Sequence, residues 1–150
     1  MSEFKITVVD FPATRLMGMK VRTSIARAHE DCPAIWQQFG PRMADIAGKP
    51  FYGVSCMLNA EEIEYWAAME ADGRELPADM GHHVIPAGTY AACRVPNLEN
   101  IGEAYMFIFE KWFASQEAYV YNEQAPCFEL YPPDWNPGAS FELYVPVMAR

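Results

Sequence analysis

Basic residues are scarce in this chain. Its 150 residues include 11 lysines and arginines against 20 aspartates and glutamates, which gives a net charge of -9. A nucleic-acid-binding surface needs a basic face, so this balance argues against direct nucleic-acid binding. The acidic surface is compatible with cationic small molecules, with a basic protein partner reached by electrostatic steering, or with a role in solubility alone.

Several sequence signatures are also absent. The four cysteines are widely spaced and include no Cys-x-x-Cys pair, so a zinc ribbon or thioredoxin-type site is not expected. There is no N-terminal signal pattern and no apolar run of about 18 residues. We therefore expect a cytoplasmic protein that does not cross a membrane and needs no cofactor.

The sequence does not indicate a metal site or a catalytic triad. His82 and His83, with Asp79 nearby, are the nearest approach to a metal-ligand cluster. Adjacent residues of a strand face opposite ways, so the two imidazoles are badly placed to share a metal ion, and none is expected. No Ser/His/Asp or Cys/His arrangement for nucleophilic catalysis is apparent either.

Period-two and helical patterns alternate along the chain and predict eight strands and two helices. The first helix should begin at Asp31 as N-cap, be kinked or broken at Gly40-Pro41, and end at Gly48. The second should be capped by Asn97 and buried on more than half of its circumference. The predicted strands are 5–11, 15–24, 51–58, 62–71, 82–85, 89–95, 126–131 and 141–147, and the second helix is 98–115.

The two halves of the chain repeat each other. Pro50 and Pro126 are 76 positions apart, as are Tyr52 and Phe128. Each half reads as strand, helix, strand, strand, preceded by a strand and a Pro-Ala break. We predict one α+β domain over 1–150, with pseudo-repeats at about 4–72 and 79–148, pseudo-two-fold symmetry, and two helices packed on an antiparallel sheet.

One carboxylate interrupts this symmetry. Glu129 lies between Phe128 and Leu130 on a short predicted strand, so it either faces water or is buried with a partner. Counting back 76 positions from Glu129 gives Gly53, which has no side chain. If both positions approach the pseudo-two-fold axis, the glycine leaves space beside the carboxylate. If Glu129 is buried, we expect its pKa to be raised or a tyrosine hydroxyl to donate to it.

Four motifs together resemble a known family. They are 86–90 (PAGTY), 111–113 (KWF), 126–131 (PCFELY) and 141–147 (FELYVPV). In order and spacing they are similar to the GyrI-like small-molecule-binding domain, which is also the effector-binding domain of AraC-type and MerR-type multidrug regulators. The resemblance covers essentially the whole chain and implies the same tandem strand-helix-strand-strand fold. The chain departs from it in having no segment left for a DNA-binding helix-turn-helix, and in the loop 94–97.

The resemblance also implies a site. Family members bind lipophilic cations in an aromatic cleft with a buried glutamate, which maps onto Glu129, and aromatic positions of that cleft fall on Tyr105 and Tyr144. From the strand patterns, Tyr90 is a further candidate that could face either the cleft or the surface. Tyr65 and Trp66 are adjacent on a predicted strand, so only one of them can face the cleft. Trp66 is taken as that residue.

These features predict a non-enzymatic binding domain for amphipathic, cationic, aromatic small molecules. Two alternatives stay open: an acidic inhibitor of a basic protein such as a DNA topoisomerase, and a hydrolase with Glu129 as base and Tyr105 or Tyr144 as acid. The expected partners are a lipophilic cation, a basic protein, or a second copy of the chain in a homodimer.

Overall fold

The computed structural model describes residues 4–43, 46 and 48–150, which form one nine-stranded antiparallel sheet with two helices. The first helix, α1, spans Ala28–Arg42. The second, α2, covers residues 98–115 in four consecutive pieces: 3₁₀-helical Leu98–Asn100, α-helical Ile101–Met106, π-helical Phe107–Trp112 and α-helical Phe113–Ser115. The strands are β1 Ile6–Phe11, β2 Thr14–Ser24, β3 Phe51–Met57, β4 Glu62–Glu70, β5 Gly81–Ile85, β6 Gly88–Val95, β7 Tyr119–Tyr121, β8 Cys127–Tyr131 and β9 Phe141–Ala149.

The first helix begins and ends earlier than its sequence predicts. Arg27 occupies the N-cap position without a side-chain cap, and Asp31 lies inside the first turn, so the expected cap is wrong. The Asp31 carboxylate instead accepts a hydrogen bond from the hydroxyl of Thr23, at 2.5 Å. Thr23 is buried, and this bond satisfies its hydroxyl. The helix ends at Arg42, directly after Gly40 and Pro41, so the predicted break is a terminus.

The second helix begins as predicted but is more exposed than predicted. The side chain of Asn97 accepts a hydrogen bond from the backbone N–H of Asn100, at 3.2 Å, which confirms the cap. Ile108 is fully buried, but Met106 is 59% and Phe109 40% exposed. The expectation of burial over more than half of the circumference is therefore wrong. One flank of α2 borders an open cleft instead of a packed neighbour.

The sheet follows the predicted duplication. Its strand order is β1-β6-β9-β8-β3-β4-β2-β5. Counted outward from the centre, the first half supplies β3, β4 and β2, and the second half supplies their equivalents β8, β9 and β6. Each half gives its first strand to the other: β1 pairs with β6, and β5 pairs with β2. The short strand β7, which pairs with the end of β9, is absent from the sequence prediction. Its three residues are too few for a periodic signal.

The centre of the sheet is the junction between the halves. Strands β3 and β8 run antiparallel, and Gly53 lies directly opposite Glu129 in their register. The positions related by the 76-residue offset therefore meet at one pair, as the repeat predicted. The same register sets Tyr52 against Leu130 and Val54 against Phe128.

Side chains alternate between the two faces of this sheet. One face carries two core clusters, one beneath α1, with Phe39 and Met17, and one beneath α2, with Ile108 and Leu143. The opposite face carries a third cluster that includes Phe128. Because α1 and α2 pack on separate halves of the first face, the central strands between them are left to form the floor of a cleft.

Candidate functional site

A deep cleft of about 1090 Å³ lies between α1 and α2 above the central strands. Its walls are mostly aliphatic, sulfur-containing and aromatic side chains, a composition common to small-molecule sites. The aromatic residues that line it are Trp36, Phe51, Tyr65, Tyr105, Phe109, Tyr121, Tyr131 and Trp135. Among the described residues no lysine or arginine lines it, and Glu129 and Asp134 are its acids.

Glu129 is the buried charge of this cleft. The residue is only 4% exposed, and it projects from β8 between buried Phe128 and half-buried Leu130. Three tyrosine hydroxyls donate to its carboxylate: Tyr131 to Oε1 at 2.9 Å, Tyr105 to Oε2 at 3.0 Å, and Tyr65 to Oε1 at 3.4 Å. Three chain segments thus hold one carboxylate, because β4, β8 and α2 each contribute one tyrosine.

A second layer fixes one of these tyrosines. The indole N–H of Trp36, on α1, donates to the Tyr65 hydroxyl oxygen at 2.8 Å. Because an indole nitrogen only donates, the Tyr65 hydroxyl must direct its own proton elsewhere, and Glu129 is the acceptor within reach. Trp36 also packs edge-on against Tyr131, with ring centroids 5.9 Å apart. Helix α1 is therefore linked to the carboxylate through two of its three donors.

Gly53 provides the space that the carboxylate occupies. A Cβ at this position would lie 2.6 Å from Glu129 Oε1 and closer still to the Tyr65 hydroxyl. Such separations are far inside van der Waals contact, so a side chain and this arrangement of Tyr65 and Glu129 exclude each other. The glycine is required here by close approach and not by backbone conformation, since its φ lies outside the left-handed region.

Burial and hydrogen bonding act on Glu129 in opposite directions. Removal from water raises the pKa of the Glu129 carboxyl, and the hydrogen bonds from Tyr131, Tyr105 and Tyr65 lower it, with the net pKa above its ordinary value. Burial and the nearby carboxylate raise the pKa of the three tyrosine hydroxyls well above theirs. The tyrosines therefore stay protonated as donors, and Glu129 is the group whose charge responds to its surroundings.

The structure brings together two of the five predicted site residues. Glu129 and Tyr105 are hydrogen-bonded in the cleft. Trp66, Tyr90 and Tyr144 belong to the cluster on the opposite face of the sheet, so their expected placement in the cleft is corrected. The reason is strand alternation: Trp66 follows Tyr65, and Tyr65 is the one that faces Glu129.

The three displaced aromatics have other partners. Tyr90 is fully buried, and its hydroxyl donates to the carbonyl of Pro86 at 3.0 Å. Tyr144 stacks on Phe128 at a centroid distance of 4.6 Å. Trp66 stacks on His83 at 5.2 Å and donates its indole N–H to Glu64. These contacts are those of a packed aromatic layer.

Sequence reasoning missed Tyr65, Tyr131 and Trp36 as site residues. Tyr131 had an available signal, because residues two apart on a strand share a face and it follows Glu129 by two. Predicting Tyr65 as a site residue requires the register between β4 and β3, and predicting Trp36 requires the position of α1 over the sheet. No local pattern in the sequence contains those two facts.

The described ranges contain neither a metal-ligand cluster nor a helix that could span a membrane. No group of three or more His, Cys, Asp and Glu side chains there could hold a metal ion. His82 is exposed, whereas His83 is half-buried against Trp66. None of the described helices has the length and apolar character needed to cross a membrane.

Fold and cleft together define an α+β domain with an acidic group in an aromatic cavity. The family model described as integron-associated effector binding protein, Cass2, matches residues 7–147, and the chain belongs to this family. This confirms the resemblance to effector-binding domains seen in the sequence. Among proteins with curated functions, none matches the chain in sequence.

Three solved structures share the fold. SAV2435 bound to tetraphenylphosphonium has a TM-score of 0.73 and 17% identity, with 96% of this chain and 94% of that chain covered. An integron cassette protein from the mobile metagenome of Vibrio cholerae has a TM-score of 0.66 and 13% identity, with 97% of both chains covered. The C-terminal domain of EcmrR has a TM-score of 0.69 and 13% identity, with 98% and 99% covered.

The contact between Gly53 and the carboxylate can be tested by substitution. Gly53→Ala should lower the free energy of unfolding by about 1–3 kcal/mol, because the new Cβ displaces Glu129 and Tyr65. In a Tyr65→Phe/Glu129→Ala background, Gly53→Ala should lower the free energy of unfolding by much less. Urea unfolding of the four proteins of this mutant cycle measures the difference. Gly81→Ala is the matched control, because its Cβ would meet Trp66 at an ordinary 3.5 Å. Equal costs of Gly53→Ala in both backgrounds would contradict the contact.

The raised pKa of Glu129 predicts a pH dependence of stability. Between the ordinary pKa of 4.5 and the higher folded value, the folded protein binds more protons than the unfolded chain. The free energy of unfolding of the native protein, relative to Glu129→Gln, should therefore fall as pH rises through this window and then level off. Tyr105→Phe should extend the fall to higher pH, because one donor to the ionised form is lost and the folded pKa rises further. A difference that is constant or rises with pH would contradict the assignment.

Proposed function

We propose that this protein binds amphipathic, cationic, aromatic small molecules in the cleft between α1 and α2, with Glu129 as their counter-ion. The observation that carries the proposal is a carboxylate, 4% exposed, at the floor of an apolar cleft without lysine or arginine among its described lining residues. A cation that enters this cleft meets one strong electrostatic partner.

The charge preference follows from the cost of burial. An ionised carboxylate in an apolar site is disfavoured unless it is paired and hydrogen-bonded. A bound cation pairs with the ionised carboxylate, whereas a neutral molecule of the same shape does not offset the free-energy cost of burying its charge. An anion adds repulsion. The site is therefore selective for positive charge even where its walls accept many shapes.

The carboxylate has capacity left for a ligand. Oε1 already accepts from two hydroxyls, and Oε2 accepts only from Tyr105. Since each carboxylate oxygen has two lone pairs, Oε2 can accept one more hydrogen bond. Around it the aromatic faces of the cleft each contribute roughly 0.5–2 kcal/mol toward a cation placed above a ring. A permanently charged phosphonium would use the ring faces, and a protonated amine would use Oε2 as well.

The similarity to SAV2435 in complex with tetraphenylphosphonium supports the same ligand class for this chain. We propose that the domain acts as a binding protein and not as an enzyme, either holding a cationic compound or passing its presence to a partner protein. The topoisomerase-inhibitor and hydrolase hypotheses stay untested predictions.

A pair of near-isosteric ions tests the proposal. Tetraphenylphosphonium and tetraphenylborate have the same shape and opposite charge, so titration calorimetry with both separates charge from shape. The native protein should bind the cation and not the anion. Glu129→Gln should weaken cation binding by at least about 30-fold, since loss of one partner of a buried charge pair costs about 2 kcal/mol or more.

Glu142→Gln is the control, because it removes one carboxylate from the other face of the same sheet and should leave binding unchanged. Undiminished phosphonium binding by Glu129→Gln would overturn the proposal. Turnover of a reactive ester would favour the hydrolase, and capture of a basic protein without ligand would favour the inhibitor.

A further inference from the structure

The cleft contains a second carboxylate, at a distance from Glu129 along its lining. Asp134 lies in the loop after β8 and lines the mouth of the cleft, where its side chain is exposed. Within the described part of the chain, this carboxylate has no hydrogen-bond or ion-pair partner. Of the described non-glycine residues, Asp134 alone has a positive φ, of 60°. Aspartate and asparagine adopt this conformation more readily than most residues.

An aromatic wall joins the two carboxylates. Trp135, next to Asp134, packs against Tyr131 with ring centroids 4.6 Å apart, and the Tyr131 hydroxyl donates to Glu129. The loop is fixed on its other side, because the Trp135 indole N–H donates to the carbonyl of Ala139 at 2.8 Å. One acid therefore lies at the floor of the cleft and one at its mouth, with apolar and aromatic surface between them.

The chain limits the distance between these acids. Asp134 is five positions after Glu129, so their Cα atoms are at most about 18 Å apart. The turn closed by the Trp135 N–H and the Pro132 carbonyl, at 3.2 Å, shortens this further. Two cationic groups separated by on the order of 10 Å could therefore reach both carboxylates at once.

We propose that the cleft accepts elongated dications, with one positive group near Glu129 and the second at Asp134 over the face of Trp135. This inference rests on the proposed function and extends it by assigning Asp134 as the residue that selects for a second charge. A second charge near an exposed carboxylate gains little, up to about fivefold in affinity, because the pair is solvated. Glu129 provides affinity for cations in general, and Asp134 adds a preference among them.

The test uses two ligand series on the full chain. Bis(trimethylammonium)alkanes of increasing length carry two charges, and alkyltrimethylammonium ions of the same lengths carry one. In titration calorimetry, the ratio of dication to monocation affinity should rise to a maximum at one chain length. Asp134→Asn should lower that ratio by about threefold to fivefold, with a smaller effect on monocation affinity than on dication affinity. Asparagine accepts the same backbone conformation, so this change removes charge without strain.

Glu75→Gln is the control for net charge, since Glu75 is exposed and lies outside the cleft lining. It should leave the ratio at its native value. If Asp134→Asn weakens both series equally, or neither, the dication inference fails while cation binding stands. If Glu129→Gln leaves both series unaffected, the proposed function itself fails. High salt should reduce the native ratio, because the pair at the mouth is screened.

Discussion

The burial of the Glu129 carboxylate is the constraint around which the rest of the site is arranged. The effective cost of taking one such ion out of water is several kcal/mol. Hydrogen bonds to a charged acceptor contribute about 1.5–3 kcal/mol each, and the 3.4 Å bond from Tyr65 is the weakest of the three. Cost and compensation are thus of similar size, so the protonation of Glu129 responds to a nearby charge. This balance is what the proposed binding of a cation requires.

The pseudo-symmetry explains why the site lies where it does. A duplicated strand-helix-strand-strand unit places one helix on each half of the sheet and leaves the junction uncovered. At the junction, the register pairs Gly53 with Glu129, so one half supplies the carboxylate and the other the room for it. With a side chain at both positions, the carboxylate could not lie as it does. The functional asymmetry is therefore a single pair of residues in an otherwise repeated frame.

The sequence predicted the frame well because its signals are local or periodic. Strand alternation, the Asn97 cap and the 76-residue offset each depend on residues close in sequence or on a constant spacing, and the offset led to Gly53 opposite Glu129. The partners of the carboxylate were harder to predict. The choice between Trp66 and Tyr65 depends on which face of the strand meets α1, and only the packing of the helices decides it.

Errors at the helix ends have a related cause. Asp31 is a good cap by residue type, yet it is used inside the helix by Thr23 from β2, a tertiary contact that outweighs local preference. Met106 and Phe109 resemble core residues by spacing, but both are exposed, and Phe109 lines the cleft. Apolar periodicity identifies a face that avoids water, and an open ligand-binding cleft produces the same pattern as a packed core.

The role of Glu129 is tested most directly by its pKa in the free and cation-bound protein, measured by ¹³C NMR of its labelled carboxyl group during a pH titration. We expect a pKa above the ordinary glutamate value in the free protein, and a clear decrease when tetraphenylphosphonium is bound, because a cation stabilises the ionised form. A pKa that does not change on saturation with the cation would contradict the role of Glu129 as counter-ion.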